Sequence, residues 1–384
     1  IYPSLDGYMS LEDFVNSLEQ PRKIILMVTA GRVVDSVINS LKPLLEQGDI
    51  LIDCGNSFYE DTERRMQELE ELGLRFIGSG VSGGEKGALY GPSIMPSGDY
   101  AAYREIEEIF TAMAAKNEDG SSCCTYIGRK GSGHFVKMVH NGVEYADMQL
   151  IAECYGIGKR LFPDDRTAVQ KIFGQLNKDN LKSYLLDITQ DILDKKEDGE
   201  WLLDKVLDVA KQKGTGKWTA RVSLEYGVPV PSLLEAVEAR FLSAMKEERI
   251  AAQQCCNSEE VPCKGDVSLT ASLYKAMLLA KTSIYAQGFA LISSVNKECS
   301  YGIDMKQLSV IWQNGCIIKS EFLKEIYQAY EKNPDVSNLL VSPVFIKHIQ
   351  ECRTALQEVI HYAMEQRIYV PVLCSALNYI NGYT

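Results

Sequence analysis

The apolar pattern of this chain changes its period once, near residue 131, and that change bounds what it can fold into. Before it, short apolar runs alternate with amphipathic stretches. Ile24-Ile25-Leu26-Met27-Val28 is followed by Val33, Val34, Val37, Ile38, Leu41, Leu44 and Leu45 at helical spacing. Then come Ile50-Leu51-Ile52-Asp53-Cys54, a charged helical stretch over 60–72, and Arg75-Phe76-Ile77-Gly78. Strand, helix, strand, helix, strand predicts a parallel sheet. After residue 131 the periodicity is helical, over 134–161, 166–174, 178–195, 201–211, 232–254, 268–296, 305–313, 319–331 and 346–367, and no strand is predicted there.

The expected architecture is an α/β, Rossmann-like N-terminal domain over 1–130 followed by a large all-α domain over 131–384. With 384 residues, 46% of them hydrophobic, the chain can bury two cores, and domain sizes favour two. The many apolar helical faces of the second domain predict cover by a second subunit. Lys195–Glu200 and Asn257–Asp266 read as polar surface loops.

In parallel sheets ligands lie at the carboxyl ends of the strands. Here those ends carry Val28-Thr29-Ala30-Gly31, Gly55-Asn56-Ser57 and Gly80-Val81-Ser82-Gly83-Gly84, three candidate cofactor loops of small or polar residues. No G-x-G-x-x-G fingerprint precedes the first strand. The first strand, glycine turn and ribose-reading residues are therefore expected upstream of Ile1, and the dinucleotide domain is expected to be incomplete in this chain.

Net charge of −12 argues against nucleic acid as a partner and leaves local basic residues to hold a small anion. No apolar run approaches a membrane span and no signal peptide opens the sequence, so a soluble, cytoplasmic protein is expected. Eleven cysteines without a C-x-x-C pair read as reduced thiols. The four histidines stand in no ligand spacing, and no catalytic metal is expected.

The chemistry concentrates in Lys137-Met138-Val139-His140-Asn141-Gly142-Val143-Glu144-Tyr145. Helical spacing puts Lys137, His140, Asn141 and Glu144 on one face, an amine, an imidazole, an amide and a carboxylate within reach of one small ligand. A lysine in a crowded, partly dry pocket can accept a proton near neutral pH, and a carboxylic acid there can donate one. Val136, Val139 and Val143 form an apolar stripe beside the polar one, which argues against a merely solvated face, and Gly131-Ser132-Gly133 reads as a flexible, hinge-like lead into the helix. Glu144–Ala152 loosely resembles Ile284–Ile292, a weak internal repeat whose second copy lacks the polar set. Further on, Lys213-Gly214-Thr215-Gly216-Lys217-Trp218 joins amines, a hydroxyl and accessible backbone N–H groups, a composition suited to a phosphate or to a capping loop. Arg240 is a second candidate cation.

Taken together, Asp53-Cys54-Gly55-Asn56-Ser57, Phe76–Glu85, Tyr90-Gly91-Pro92-Ser93-Ile94-Met95-Pro96, Gly133–Tyr145 and Gln212–Thr219 resemble the decarboxylating 6-phosphogluconate dehydrogenases of the pentose phosphate pathway over nearly the whole chain. The resemblance implies Lys137 as general base and Glu144 as general acid. It implies Asn56, Ser82, Gly83, Gly84, His140 and Asn141 around the sugar acid, and Tyr145, Lys213, Thr215 and Arg240 around its phosphate. Val28, Thr29, Ala30 and Asn56 would hold the cofactor, NADP. The implied reaction is oxidation at C3 of 6-phosphogluconate, loss of carbon dioxide and protonation of an enediol at C1 to ribulose 5-phosphate.

Two positions depart from the family pattern, Thr29 where many members carry Lys and Cys54 where Gly is common. Both touch cofactor contacts and leave the reaction intact. The resemblance also implies a homodimer in which a C-terminal tail beyond Thr384, carrying an Arg and a His, completes the neighbouring subunit's site. Two rival readings are a 3-hydroxyisobutyrate-type dehydrogenase, which oxidises without decarboxylating, and a non-catalytic binding or scaffold protein. Glu144, the Lys213 loop and the long helical region favour the sugar-phosphate enzyme over the first, and the Lys137–Glu144 set argues against the second.

Overall fold

The structure is a computed structural model and describes residues 5–211, 214–256, 261 and 268–384. It divides into two compact units, one of Ile1–Met138 with Asn296–Cys316 and one of Val139–Val295 with Ile317–Thr384.

In the first unit, α1 (Leu11–Asn16), β1 (Lys23–Leu26), α2 (Arg32–Leu41), β2 (Ile50–Asp53), α3 (Tyr59–Glu70), β3 (Arg75–Ser82), α4 (Gly84–Tyr90), β4 (Ser93–Gly98) and α5 (Tyr100–Met113) follow in order. The sheet runs β1-β2-β3-β4. Strand period two sorts β2 between the two faces. Ile50 and Ile52 pack with Ile77, Ile106 and Phe110, whereas Leu51 packs with Leu26, Val34, Ile38 and Leu69. Cover on both faces explains the continuous apolar run of β2, whereas in β1 Ile25 is exposed.

β1, β2 and β3 are parallel as expected, but β4 is antiparallel to β3, from Ile77 opposite Gly98 to Ser82 opposite Ser93. That pairing extends β3 beyond Gly78 to Ser82, so Gly80, Val81 and Ser82 are strand and not loop. Small residues hid this strand from a reading of side-chain patterns, because it is held by its backbone. The helix after β4 starts at a clear cap: the Asp99 carboxylate accepts from the N–H groups of Ala101 and Ala102.

Helical structure dominates the second unit. α6 (Ser132–Leu161), whose first turns belong to the first unit, is followed by α7 (Arg166–Leu176), α8 (Tyr184–Asp194), α9 (Leu202–Lys205), α10 (Thr215–Glu225), α11 (Pro231–Ala244), α12 (Lys246–Cys255) and α13 (Leu269–Cys299). α14 (Met305–Ile311) returns to the first unit, and α15 (Phe322–Lys332), α16 (Pro343–Glu365) and α17 (Pro371–Tyr383) complete the second.

Three expectations need correction here. The stretch 201–211 is helical only over α9, the stretch 232–254 breaks at Met245, and Lys195–Glu200 holds a small antiparallel hairpin, β5 (Lys196–Glu197) with β6 (Glu200–Trp201). Trp201 anchors that hairpin, with the Lys196 ammonium 4.1 Å from its ring centre. α10 and α17 were not anticipated. Pro371 at the start of α17 is the overlooked sign, since proline's fixed φ and missing N–H suit a first helical turn. The expected loop over 257–266 lies, apart from Val261, outside the described residues.

α6 and α13, the helices that hold the two copies of the weak repeat, pack at Gly288, where an added Cβ would come within 2.6 Å of Val143 Cγ2. Nearby, Lys281 and Asp147 form an ion pair, both side chains buried. Cys54, Cys124, Cys154, Cys255, Cys256, Cys352 and Cys374 are free thiols. No described helix is long and apolar enough to cross a membrane.

α17 is docked by an unusual cap. The Glu153 carboxylate of α6, only 2% exposed, accepts from the N–H groups of Val372 and Leu373 at 2.9 Å each. Burial, opposed by these two bonds, pushes its pKa up to about 7. A carboxyl whose folded pKa is raised favours the fold most below its unfolded value and loses that contribution as pH rises through the folded value. The second unit is therefore expected to weaken between pH 5 and 8 by up to about 3 kcal/mol through this group. Melting curves of Glu153→Gln should lack that part of the pH dependence; parallel wild-type and variant profiles would remove Glu153 from the account.

Candidate active site

The candidate residues of the first unit stand at the carboxyl ends of its parallel strands. Val28, Thr29 and Ala30 follow β1, with Thr29 exposed, and Asn56, also exposed, follows β2. Gly55 brings the two loops together, since a Cβ there would lie 3.1 Å from both the Val28 carbonyl oxygen and Asp53 Oδ1. Beneath them the buried Asp53 accepts from Gly55 N–H at 3.0 Å and from Ser57 Oγ at 2.6 Å, while Arg65 Nη2 donates to the Gly31 carbonyl at 3.0 Å. This network fixes two open, small-residue loops from below. Such a cradle suits a dinucleotide, whose phosphates and ribose need close backbone approach. Cys54 is a neutral core thiol, pushed up to about 12 by burial and the adjacent Asp53 charge.

Lys137 is buried at 6% exposure, and its position is set by glycines. A Cβ on Gly80 would overlap Lys137 Cβ and lie 2.8 Å from the Gly133 carbonyl oxygen. One on Gly133 would lie 2.8 Å from the Gly78 carbonyl oxygen and 2.9 Å from Ser97 Oγ. Gly78, Gly80 and Gly133 thus let the first turn of α6 rest on β3 and β4 without intervening side chains. Gly131-Ser132-Gly133 is not a flexible lead: all three residues are buried and the chain is helical from Ser132. Ser82 is buried two residues beyond Gly80 on the same strand face, and Gly83 and Gly84, at φ 135° and 57°, make the turn into α4.

In the second unit the candidates form a connected series. His140, fully buried, has Nδ1 3.2 Å from Asn141 Oδ1 and 3.8 Å from Glu144 Oε2. Asn141 Nδ2 donates to Thr215 Oγ1 at 3.1 Å. Gly214, in the left-handed region at φ 100°, turns the chain into α10, so Thr215, Gly216, Lys217 and Trp218, read as loop, are the first turn of a helix. Gly216 lies against the Tyr145 ring and Gly142 against Thr219. The Arg240 guanidinium stacks over Tyr145, 3.5 Å from its centre, and Nη1 donates to the Lys211 carbonyl at 2.7 Å. Arg240 is therefore half-buried and oriented, and burial lowers its pKa from the ordinary guanidinium value. Lys213 lies outside the described residues.

Sequence reasoning gave Gly78, Gly142 and Thr219 no role and put Gly80 in a cofactor loop, whereas all four place the functional side chains without bearing chemistry. The only available signal was a Gly-x-Gly inside a strand pattern, the mark of a close backbone approach. Gly80→Ala is expected to cost about 1–3 kcal/mol through forced overlap with Lys137. Gly382→Ala, with nothing within 4 Å, should be near neutral. Thermal melts of the two variants measure the contrast, and equal melting points would remove the overlap argument.

Comparison with known proteins shows the family. Residues 4–128 match a family model for the NAD binding domain of 6-phosphogluconate dehydrogenase, and residues 133–384 match one for its C-terminal domain. The chain is 48% identical over 380 residues to the decarboxylating 6-phosphogluconate dehydrogenase of Synechocystis sp., covering 97% of this chain and 79% of that protein. It is 47% identical over 381 residues to the NADP(+)-dependent, decarboxylating enzyme of Bacillus subtilis, covering 98% and 81% respectively. The Plasmodium falciparum 6-phosphogluconate dehydrogenase, solved in apo form and in complexes with its cofactor NADP+ and its substrate 6-phosphogluconate, superposes with a TM-score of 0.95 at 38% identity, covering 98% of this chain and 82% of that one. The chain belongs to the 6-phosphogluconate dehydrogenase family.

Proposed function

We propose that this protein catalyses the NADP-dependent oxidative decarboxylation of 6-phosphogluconate to ribulose 5-phosphate and carbon dioxide, with the residue roles that follow. The observation that carries the reading is the pairing, on one helix and seven residues apart, of a buried lysine seated on a glycine seam with a carboxylate beside a buried histidine. NADP supplies the hydride acceptor, and Val28, Thr29, Ala30 and Asn56 are the residues that would hold it.

Lys137 takes the proton of the substrate's 3-hydroxyl as the C3 hydrogen departs as hydride, which leaves a 3-keto acid. The resulting ammonium then polarises the C3 carbonyl, so that the electron pair left by carbon dioxide is delocalised onto that oxygen as an enediol. Glu144 delivers the proton that C1 of the enediol requires. Asn56, Ser82, Gly83, Gly84, His140 and Asn141 hold the sugar acid. Tyr145, Lys213, Thr215 and Arg240 hold the phosphate; Arg240 supports this with its fixed orientation on Tyr145 and N–H groups suited to phosphate oxygens.

A cytoplasmic homodimer with exchange of C-terminal tails belongs to the same proposal. It is supported by the exposed apolar side chains of Leu224, Phe241, Leu242 and Met245 in the second unit.

The deciding assay supplies 6-phosphogluconate with NADP and, separately, with NAD, and follows reduced nicotinamide and released carbon dioxide. Equal yields of the two products are expected. Reduced cofactor without carbon dioxide would favour the hydroxyisobutyrate-type reading, and neither product would favour a non-catalytic protein. Lys137→Met should lose turnover by at least about 10³-fold while NADP binding stays within a few-fold, because the amine acts on substrate protons. Retained turnover would remove Lys137 as the base.

A further inference from the structure

His134 stands one helical turn before Lys137, so both project from the same side of α6. Its ring is 1% exposed, and the reaction proposed above gives it no role. The two side chains meet β3 at matching points. A Cβ on Gly78 would lie 3.0 Å from His134 Nδ1, and one on Gly80 would overlap Lys137. Residues two apart on a strand share a face, so one turn of helix is registered against two residues of strand.

Two further elements meet at the same ring. Thr62 Oγ1 of α3 lies 2.7 Å from His134 Nδ1. Nε2 is buried with no hydrogen-bond partner among the described residues, and burial pushes the ring's pKa below the ordinary imidazole value, opposed in part by the Asp53 charge and by the backbone of Asp53 and Gly55 at the end of β2. Asn56 follows directly. The imidazole therefore touches the element that leads into the Asn56 loop, the helix that follows that loop, and the strand under Lys137.

We infer that His134 is a positioning residue for the proposed reaction: it fixes the Asn56 loop relative to the helical turn that carries Lys137, and so sets the distance between base and hydride acceptor. Misplacement by about 1 Å can cost a reaction on the order of a hundredfold. This inference rests on the proposed function, and the experiment separates the two.

Wild-type turnover of 6-phosphogluconate with NADP is measured first; its absence refutes the function itself. With turnover established, Thr62→Val removes the hydroxyl partner at nearly constant volume. It is expected to lower kcat about five- to tenfold, through a misplacement of less than about 1 Å. The isotope effect with substrate deuterated at C3 should rise, and KM for the sugar phosphate should change less than twofold. His134→Gln, which can still bond Thr62, should retain more kcat than His134→Phe, and Thr62→Val should add nothing to His134→Phe. Unchanged kcat and isotope effect in Thr62→Val, with only a lowered melting temperature, would overturn the inference and leave His134 a scaffold residue. That readout stands even if His134→Phe fails to fold.

Discussion

The first unit depends on one close approach: the opening turn of α6 lies directly on β3 and β4, because Gly78, Gly80 and Gly133 remove the side chains that would hold them apart. A helix normally packs on a sheet through its side chains, with the backbones well separated. Here carbonyl oxygens and Cα atoms come within contact distance. The approach allows little lateral freedom, and Lys137 emerges from it one turn after His134. Missing atoms on Gly78, Gly80 and Gly133 thus help to set the placement of the candidate base.

A different device serves the second unit. His140, Asn141 and Thr215 form one series of polar contacts between α6 and α10, and Tyr145 and Arg240 form a stacked pair between α6 and α11. Gly142 and Gly216 admit α10 close enough for those contacts to form. Small residues set the spacing and polar ones set the orientation, which is the division of labour expected of a preorganised site.

How much of this was legible follows from where each cause resides. β2 could be read from Ile50-Leu51-Ile52 because burial on both faces demands apolar residues at every position. Helical spacing alone grouped Lys137, His140, Asn141 and Glu144, since their alignment is a property of the helix that contains them. β4 and the extension of β3 were not legible, because Gly, Ser and Pro interrupt their apolar residues and the strands are declared by the backbone pairing between them. α10 was hidden for a related reason: Gly-Thr-Gly reads as a loop, and it becomes a helix start through Gly214's left-handed turn and the packing of Gly216 on Tyr145. The role of Gly80 was invisible because it depends on a residue 57 positions away.

Stacking of Arg240 on Tyr145 constrains the kind of molecule that can occupy that corner. At 3.5 Å from the ring centre the guanidinium must lie flat, since an edge-on approach would drive its nitrogens into the ring. A flat guanidinium offers its hydrogens only around its rim, and one part of that rim is committed to the Lys211 carbonyl. The cation is therefore a directional receptor and not a diffuse positive field. Inhibitors aimed at it would gain more from two oxygens arranged in the plane of the guanidinium than from additional negative charge, and planar carboxylates and tetrahedral phosphonates of equal charge should be told apart by shape.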